Sequence, residues 1–220
     1  MTKPKIIINF KLYENACGQS ALNLAEIVEK ISMEENFPVA IAVNPVDIQM
    51  VSNGVNIPVF SQHFDPVAFG NFTGSVSPYV LKESGVIGSL INHSEKKLDR
   101  NDLKESIQLA KKLKFFCAVC LNDPNEVAEY FGYEPDAFVL EPKELIGGDI
   151  SVSKAKFNVI KEFNDMMNGK DFYVGAGIKN QEDVQISLSL GAYGVLVSSG
   201  VVNAEDPYSV LLDLVSAFKK

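Results

Sequence analysis

Val86-Ile87-Gly88-Ser89-Leu90-Ile91-Asn92-His93-Ser94-Glu95 contains, in ten residues, the unit from which this chain is built. An apolar run too short for a helix gives way at Asn92 to a polar turn, and a helical turn is expected to begin beside His93. Such a run, without the polar alternation of a half-exposed strand, marks a strand buried on both faces. Seven more runs of this kind follow the same plan: Ile6–Ile8, Val39–Val43, Val59–Ser61, Phe115–Leu121, Ala137–Leu140, Phe172–Val174 and Gly194–Val197. Between them, apolar residues recur at helical spacing. Examples are Leu24, Ile27, Val28 and Ile31; Leu103, Ile107, Ala110 and Leu113; Val184 and Leu188; and Leu211, Leu214, Val215 and Phe218. After the second and third runs the intervening segments are short and irregular, so only brief helices are expected there.

Strands buried on both faces and joined by helical crossovers form parallel sheets. Eight such units with no low-complexity linker predict an α/β fold with a single closed (β/α)8 barrel, one domain over residues 1–220. A doubly wound dinucleotide-binding sheet is the poorer fit, because no G-x-G-x-x-G follows the first run.

Composition narrows the function classes. With 20 Lys and Arg against 28 Asp and Glu, the net charge is −8, and the basic residues are scattered. A nucleic-acid surface is therefore not expected. No apolar run is long enough to span a bilayer, and Met1-Thr2-Lys3-Pro4-Lys5 leads straight into Ile6 without a signal-peptide core. A cytoplasmic protein without membrane contact is the expectation. Cys117-Ala118-Val119-Cys120 has metal-motif spacing, but on a strand its two thiols point to opposite faces. They read as core, and with two histidines in the chain no metal site is expected.

The chemistry lies at the ends of the runs. Asn9-Phe10-Lys11 follows the first, Asn92-His93-Ser94-Glu95 the fourth and Glu141-Pro142 the sixth. Gly175-Ala176-Gly177 follows the seventh and Ser198-Ser199-Gly200 the eighth. Singly, each has a plain reading: a surface lysine, a turn-capping histidine, a strand-ending acid, tight glycine turns. In a parallel barrel, however, all of them converge on one rim. A cation, a carboxylate, backbone N–H cradles and an imidazole kept neutral by a helix start then share one face.

This set, in this order, resembles the triosephosphate isomerase family, and the compact length with the two late glycine-rich loops resembles its archaeal branch. The resemblance implies a TIM barrel. It also implies interconversion of dihydroxyacetone phosphate and D-glyceraldehyde 3-phosphate through an enediolate, in glycolysis and gluconeogenesis, with no cofactor. It assigns Glu141 as general base, His93 as neutral electrophile and Lys11 as the charge-offsetting cation, with Asn9 positioning substrate. Backbone N–H groups of Ile146, Gly177, Ser198 and Ser199 would hold the phosphate.

Pro142 to Ile150 would be a closing lid with its tip at Gly147-Gly148 and a second hinge near Val152-Ser153-Lys154. Asp149 departs from the family's usual Gly-Thr-Gly tip and is expected to point outward or cap a turn. Phe72-Thr73-Gly74 resembles the loop that enters a neighbouring subunit near its lysine, which implies a homodimer or homotetramer. His63 reads as structural or interfacial. Two other readings stay open at this stage: an epimerase-like sugar-phosphate barrel, for which metal-binding histidines are lacking, and a barrel that binds phosphate ligands without catalysis.

Overall fold

The computed structural model describes residues 2–142 and 157–219. Eight parallel strands close into a barrel in sequence order, with the last paired to the first. They are β1 (Ile6–Asn9), β2 (Val39–Val43), β3 (Val59–Ser61), β4 (Gly88–Ile91), β5 (Phe116–Leu121), β6 (Ala137–Leu140), β7 (Phe172–Val174) and β8 (Gly194–Val197). The predicted runs mark all eight. β4 starts two residues late because the Val86 N–H closes the preceding helix on Leu81 O at 3.3 Å. Phe115 is lost to β5 in the same way: it bonds back to Ala110 O at 2.9 Å, past the left-handed Lys114 that ends its helix.

The crossovers are α1 (Gln19–Glu34), α2 (Ile48–Gly54), α3 (Pro78–Glu83), α4 (Arg100–Leu113), α5 (Val127–Tyr130), α6 (Phe157–Met167), α7 (Gln181–Ser189), α8 (Ser199–Val202) and α9 (Pro207–Ser216). As expected, α2 and α3 are brief. Side-chain caps start α4, α7 and α9. Asp99 accepts the Asn101 and Asp102 N–H groups at the head of α4, and Asn180 accepts from Asp183 at the head of α7. Asp206 caps α9, with Pro207 in the first turn, where its missing N–H costs nothing. Among the described residues, no helix is long and apolar enough to cross a membrane.

Alternation along the strands splits the core into two layers. Ile8, Ile41, Val43, Val119 and Leu140 face outward onto helix residues such as Leu24, Val28 and Ile107. Ile7, Ala42, Phe60, Leu90, Ala118, Val139, Tyr173 and Leu196 fill the barrel interior. Each large apolar side chain so buried stabilises by about 1.5–3 kcal/mol. Cys117 lies in the outer layer and Cys120 in the inner one, on opposite faces of β5 as the strand period requires. The interior is a packed plug of side chains, with the C-terminal strand ends above it.

Candidate active site

Counting in steps of two from the interior layer locates the rim. Ile7 leads to Asn9 and Lys11, Val139 to Glu141, Tyr173 to Gly175, and Leu196 to Ser198. β4 breaks the count. Leu90 points inward, so regular alternation would put Asn92 over the mouth and His93 outside it. Asn92 is left-handed, with φ 59, and this reverses the alternation so that His93 faces the site. Asn tolerates that conformation better than most side chains do. Its own side chain is tied down, donating to Cys120 O at 2.8 Å and accepting from the Leu98 N–H at 3.1 Å.

The imidazole and the carboxylate meet beneath the rim. His93 Nε2 lies 3.1 Å from Glu141 Oε1, and the two residues are only 7% and 1% exposed. The Glu95 N–H donates to His93 Nδ1 at 3.2 Å. A ring nitrogen that accepts carries no proton, so the hydrogen bonds assign the neutral tautomer with its proton on Nε2, aimed at the carboxylate. Glu141 is held by the strand ladder, its N–H donating to Leu121 O at 2.8 Å. Its second oxygen, Oε2, is buried and makes no hydrogen bond among the described residues. Below it, burial and then the Glu141 charge push the Cys120 thiol well up, so that group stays protonated.

Lys11 stands across the mouth. Its backbone is left-handed, at φ 50, with its N–H on Asn9 Oδ1 at 3.0 Å. Its ammonium sits 2.7 Å from Glu95 Oε1. The same Glu95 therefore orients the histidine through its main chain and the lysine through its carboxylate.

Two loops complete the pocket. Gly177 is left-handed at φ 74. Ser198 Oγ is buried with no hydrogen bond among the described residues, just ahead of α8, whose first N–H groups have no intrahelical acceptor. A Cβ on Gly200 would lie 3.6 Å from Ile178 O, so the loops after β7 and β8 approach each other closely. One pocket is lined by Asn9, Lys11, His93, Glu141, Gly177, Ser198 and Ser199 together. Those are all the expected site residues but one: Ile146 lies outside the described residues, as do Asp149, the rest of the expected lid past Pro142 and its hinge at Val152-Ser153-Lys154.

Sequence reading missed the supporting residues. Gly175 leaves room for Glu141: a Cβ there would come within 2.9 Å of Glu141 Cγ and 2.7 Å of Val139 Cγ1. Gln62 reaches the Lys11 backbone, and Glu95 holds both the ring and the lysine ammonium. His63 is not part of this pocket. Its Nε2 pairs with Asp65 Oδ1 at 3.0 Å, at the neck of the loop that carries Thr73.

Fold and rim together define a class: a parallel (β/α)8 barrel whose strand ends hold a carboxylate–imidazole pair next to a lysine and N–H-rich loops. The family model described as triosephosphate isomerase matches residues 4–218. A protein named triosephosphate isomerase from Saccharolobus solfataricus is 39% identical over 220 residues, covering 99% of this chain and 97% of the relative. One of the same name from Methanosarcina acetivorans is 38% identical over 219 residues, covering 98% and 99%. A third, from Thermoplasma volcanium, is 40% identical over 212 residues, covering 96% and 98%. The chain belongs to the triosephosphate isomerase family. These matches support that family and not the epimerase-like alternative.

Proposed function

We infer that this protein interconverts dihydroxyacetone phosphate and D-glyceraldehyde 3-phosphate, on one catalytic domain spanning 1–220 and without a cofactor. The observation that carries the reading is the buried His93–Glu141 pair at 3.1 Å, with Nδ1 already accepting the Glu95 N–H. A carboxylate with one oxygen that makes no hydrogen bond among the described residues can take a proton from carbon. A neutral imidazole with its proton on Nε2 can donate to the carbonyl and then pass protons between the two substrate oxygens. Lys11 offsets the negative charge of phosphate and enediolate, and Asn9 holds the lysine loop and meets the substrate. The N–H groups of Gly177, Ser198 and Ser199 hold the phosphate, joined by Ile146 from the lid.

The energetics explain why every part is needed. A carbon acid is weaker than a carboxylic acid by many pKa units, and each unit costs about 1.4 kcal/mol. A carboxylate can close that gap only where preorganised donors meet the developing oxyanion in a site without water. A lid over 142–150 would supply the dryness and keep the enediolate from losing phosphate.

The protein works as a homo-oligomer, dimer or tetramer, through the loop around Thr73. Phe69 and Phe72 near Thr73 are 72% and 50% exposed, and Leu12 and Val46, past the ends of β1 and β2 on the same rim, are 79% and 91% exposed. Exposed apolar side chains along one rim favour self-association. Three unpaired cysteines suit a reducing compartment, the cytoplasm. A coupled assay of glyceraldehyde 3-phosphate isomerisation with wild type and Glu141→Gln tests the reading. Turnover by wild type and its loss in the variant support it; an inactive wild type or a fully active variant overturns it.

A further inference from the structure

We propose that Gln62 is a positioning residue for Lys11, an inference that rests on the role given to Lys11 above. Its amide nitrogen donates twice, to Lys11 O at 3.1 Å and to Ala42 O at 3.1 Å. An amide NH2 has two hydrogens, so one nitrogen serves both carbonyls fully. Ala42 O also accepts the Phe10 N–H at 2.9 Å, the bond that ends the β1–β2 ladder. Gln62 therefore ties the lysine peptide to the last fixed point of the barrel wall.

Lys11 needs such a tie because of its backbone. A lysine at φ 50 has no intrinsic preference for the left-handed region and persists there only when its surroundings hold it. Among the described residues, three groups grip it. Asn9 Oδ1 takes its N–H, a local bond across two residues that turns with the loop. Glu95 takes the ammonium at the end of a long side chain, and that carboxylate is itself 55% exposed. Gln62 comes from the end of β3 and is the one that joins the Lys11 main chain to another strand. By strand alternation it lies two residues past the inward-facing Phe60, so its side chain reaches over the mouth. Without its N–H donors the lysine peptide can relax, and the ammonium leaves the place where charge develops.

The alternative is that Gln62 merely satisfies the Ala42 carbonyl and stabilises the fold. A double-mutant cycle separates the two. Gln62→Met keeps the length and removes the donors; Gln62→Glu keeps the shape and has no N–H. Each is expected to lower kcat/KM about 10- to 100-fold, the loss of two ordinary hydrogen bonds acting on the reacting charge. In a Lys11→Ala background the same changes are expected to cost less than about twofold, because the group being positioned is gone.

The outcomes are distinct. Full additivity in the Lys11→Ala background, or wild-type activity in Gln62→Glu, overturns the inference and leaves the function of the protein untouched. Failure of both Gln62 variants to fold, read by circular dichroism, also overturns it, since a rim residue that only positions must be dispensable for folding. An inactive wild type, or a Lys11→Ala variant with full activity, removes the role of Lys11 and takes the inference with it.

Discussion

Gly175 and Glu141 are packed so closely that a single added carbon atom would touch the carboxylate stem: a Cβ on Gly175 comes within 2.9 Å of Glu141 Cγ. The glycine N–H donates to Leu140 O at 2.8 Å, so this strand end cannot retreat without breaking the ladder. The side chain must move instead. Gly175→Ala is expected to turn Glu141 away from His93 and lower kcat at least about tenfold, with about 1–3 kcal/mol of overpacking destabilisation. Steady-state kinetics and thermal melts check both. An alanine variant with unchanged kcat would show that the exact placement of Glu141 does not matter.

The orientation of His93 depends on the left-handed Asn92. Asn92→Gly keeps the conformation accessible while losing the bonds to Cys120 O and Leu98 N, and should cost about 1 kcal/mol with kcat reduced only a few-fold. Asn92→Val forces a β-branched residue toward φ 59. It should be worse by a further 1–3 kcal/mol, with a loss of kcat greater than that of the glycine variant. Equal effects from the two substitutions would contradict the reversal of strand alternation described above.

The loop bearing Thr73 hangs from a titratable clamp. Burial alone would raise the Asp65 carboxyl, but the Val76 N–H and the His63 ring outweigh it and hold that group below its ordinary value. A carboxyl lowered on folding contributes stability above its unfolded pKa of about 3.9 and loses it as pH falls through the folded value. Asp65→Asn is therefore expected to lower Tm by about 2–4 °C near neutral pH, from roughly 1 kcal/mol of lost hydrogen bonding. The gap between variant and wild type should close below about pH 4. Melts across pH decide it; a constant gap would refute the clamp.

Thr73→Arg places a long cation at the tip of that loop, between exposed Phe72 and left-handed Gly74. If the loop enters a second copy, light scattering should show a shift toward monomer, with kcat/KM falling as the neighbouring lysine rim loosens. An unchanged mass would place the interface elsewhere.

The sequence made the barrel legible because its strands are buried on both faces and so read as uninterrupted apolar runs. The misplaced starts of β4 and β5 have one cause: Val86 and Phe115 are apolar but spend their N–H groups closing helices. The described site residues were readable because each stands at the C-terminal end of a strand or within three residues past it. Their supports were not. The Gln62–Lys11 and Glu95–Lys11 contacts join residues 51 and 84 positions apart, and the turn at Asn92 is a backbone angle that residue type only permits. Gly175 looked like any turn glycine until the carboxylate stem beside it was located.

Proton abstraction from carbon by Glu141 is the central claim, and isomerisation in D2O tests it most directly. Glyceraldehyde 3-phosphate turned over by wild type should yield dihydroxyacetone phosphate carrying deuterium at the carbon next to the carbonyl, seen by NMR, because a proton on a carboxylate exchanges with solvent. Glu141→Gln should form that product at least about 10³-fold more slowly. Product formed by wild type with no solvent deuterium at that carbon, or formed by Glu141→Gln at the wild-type rate, would contradict it.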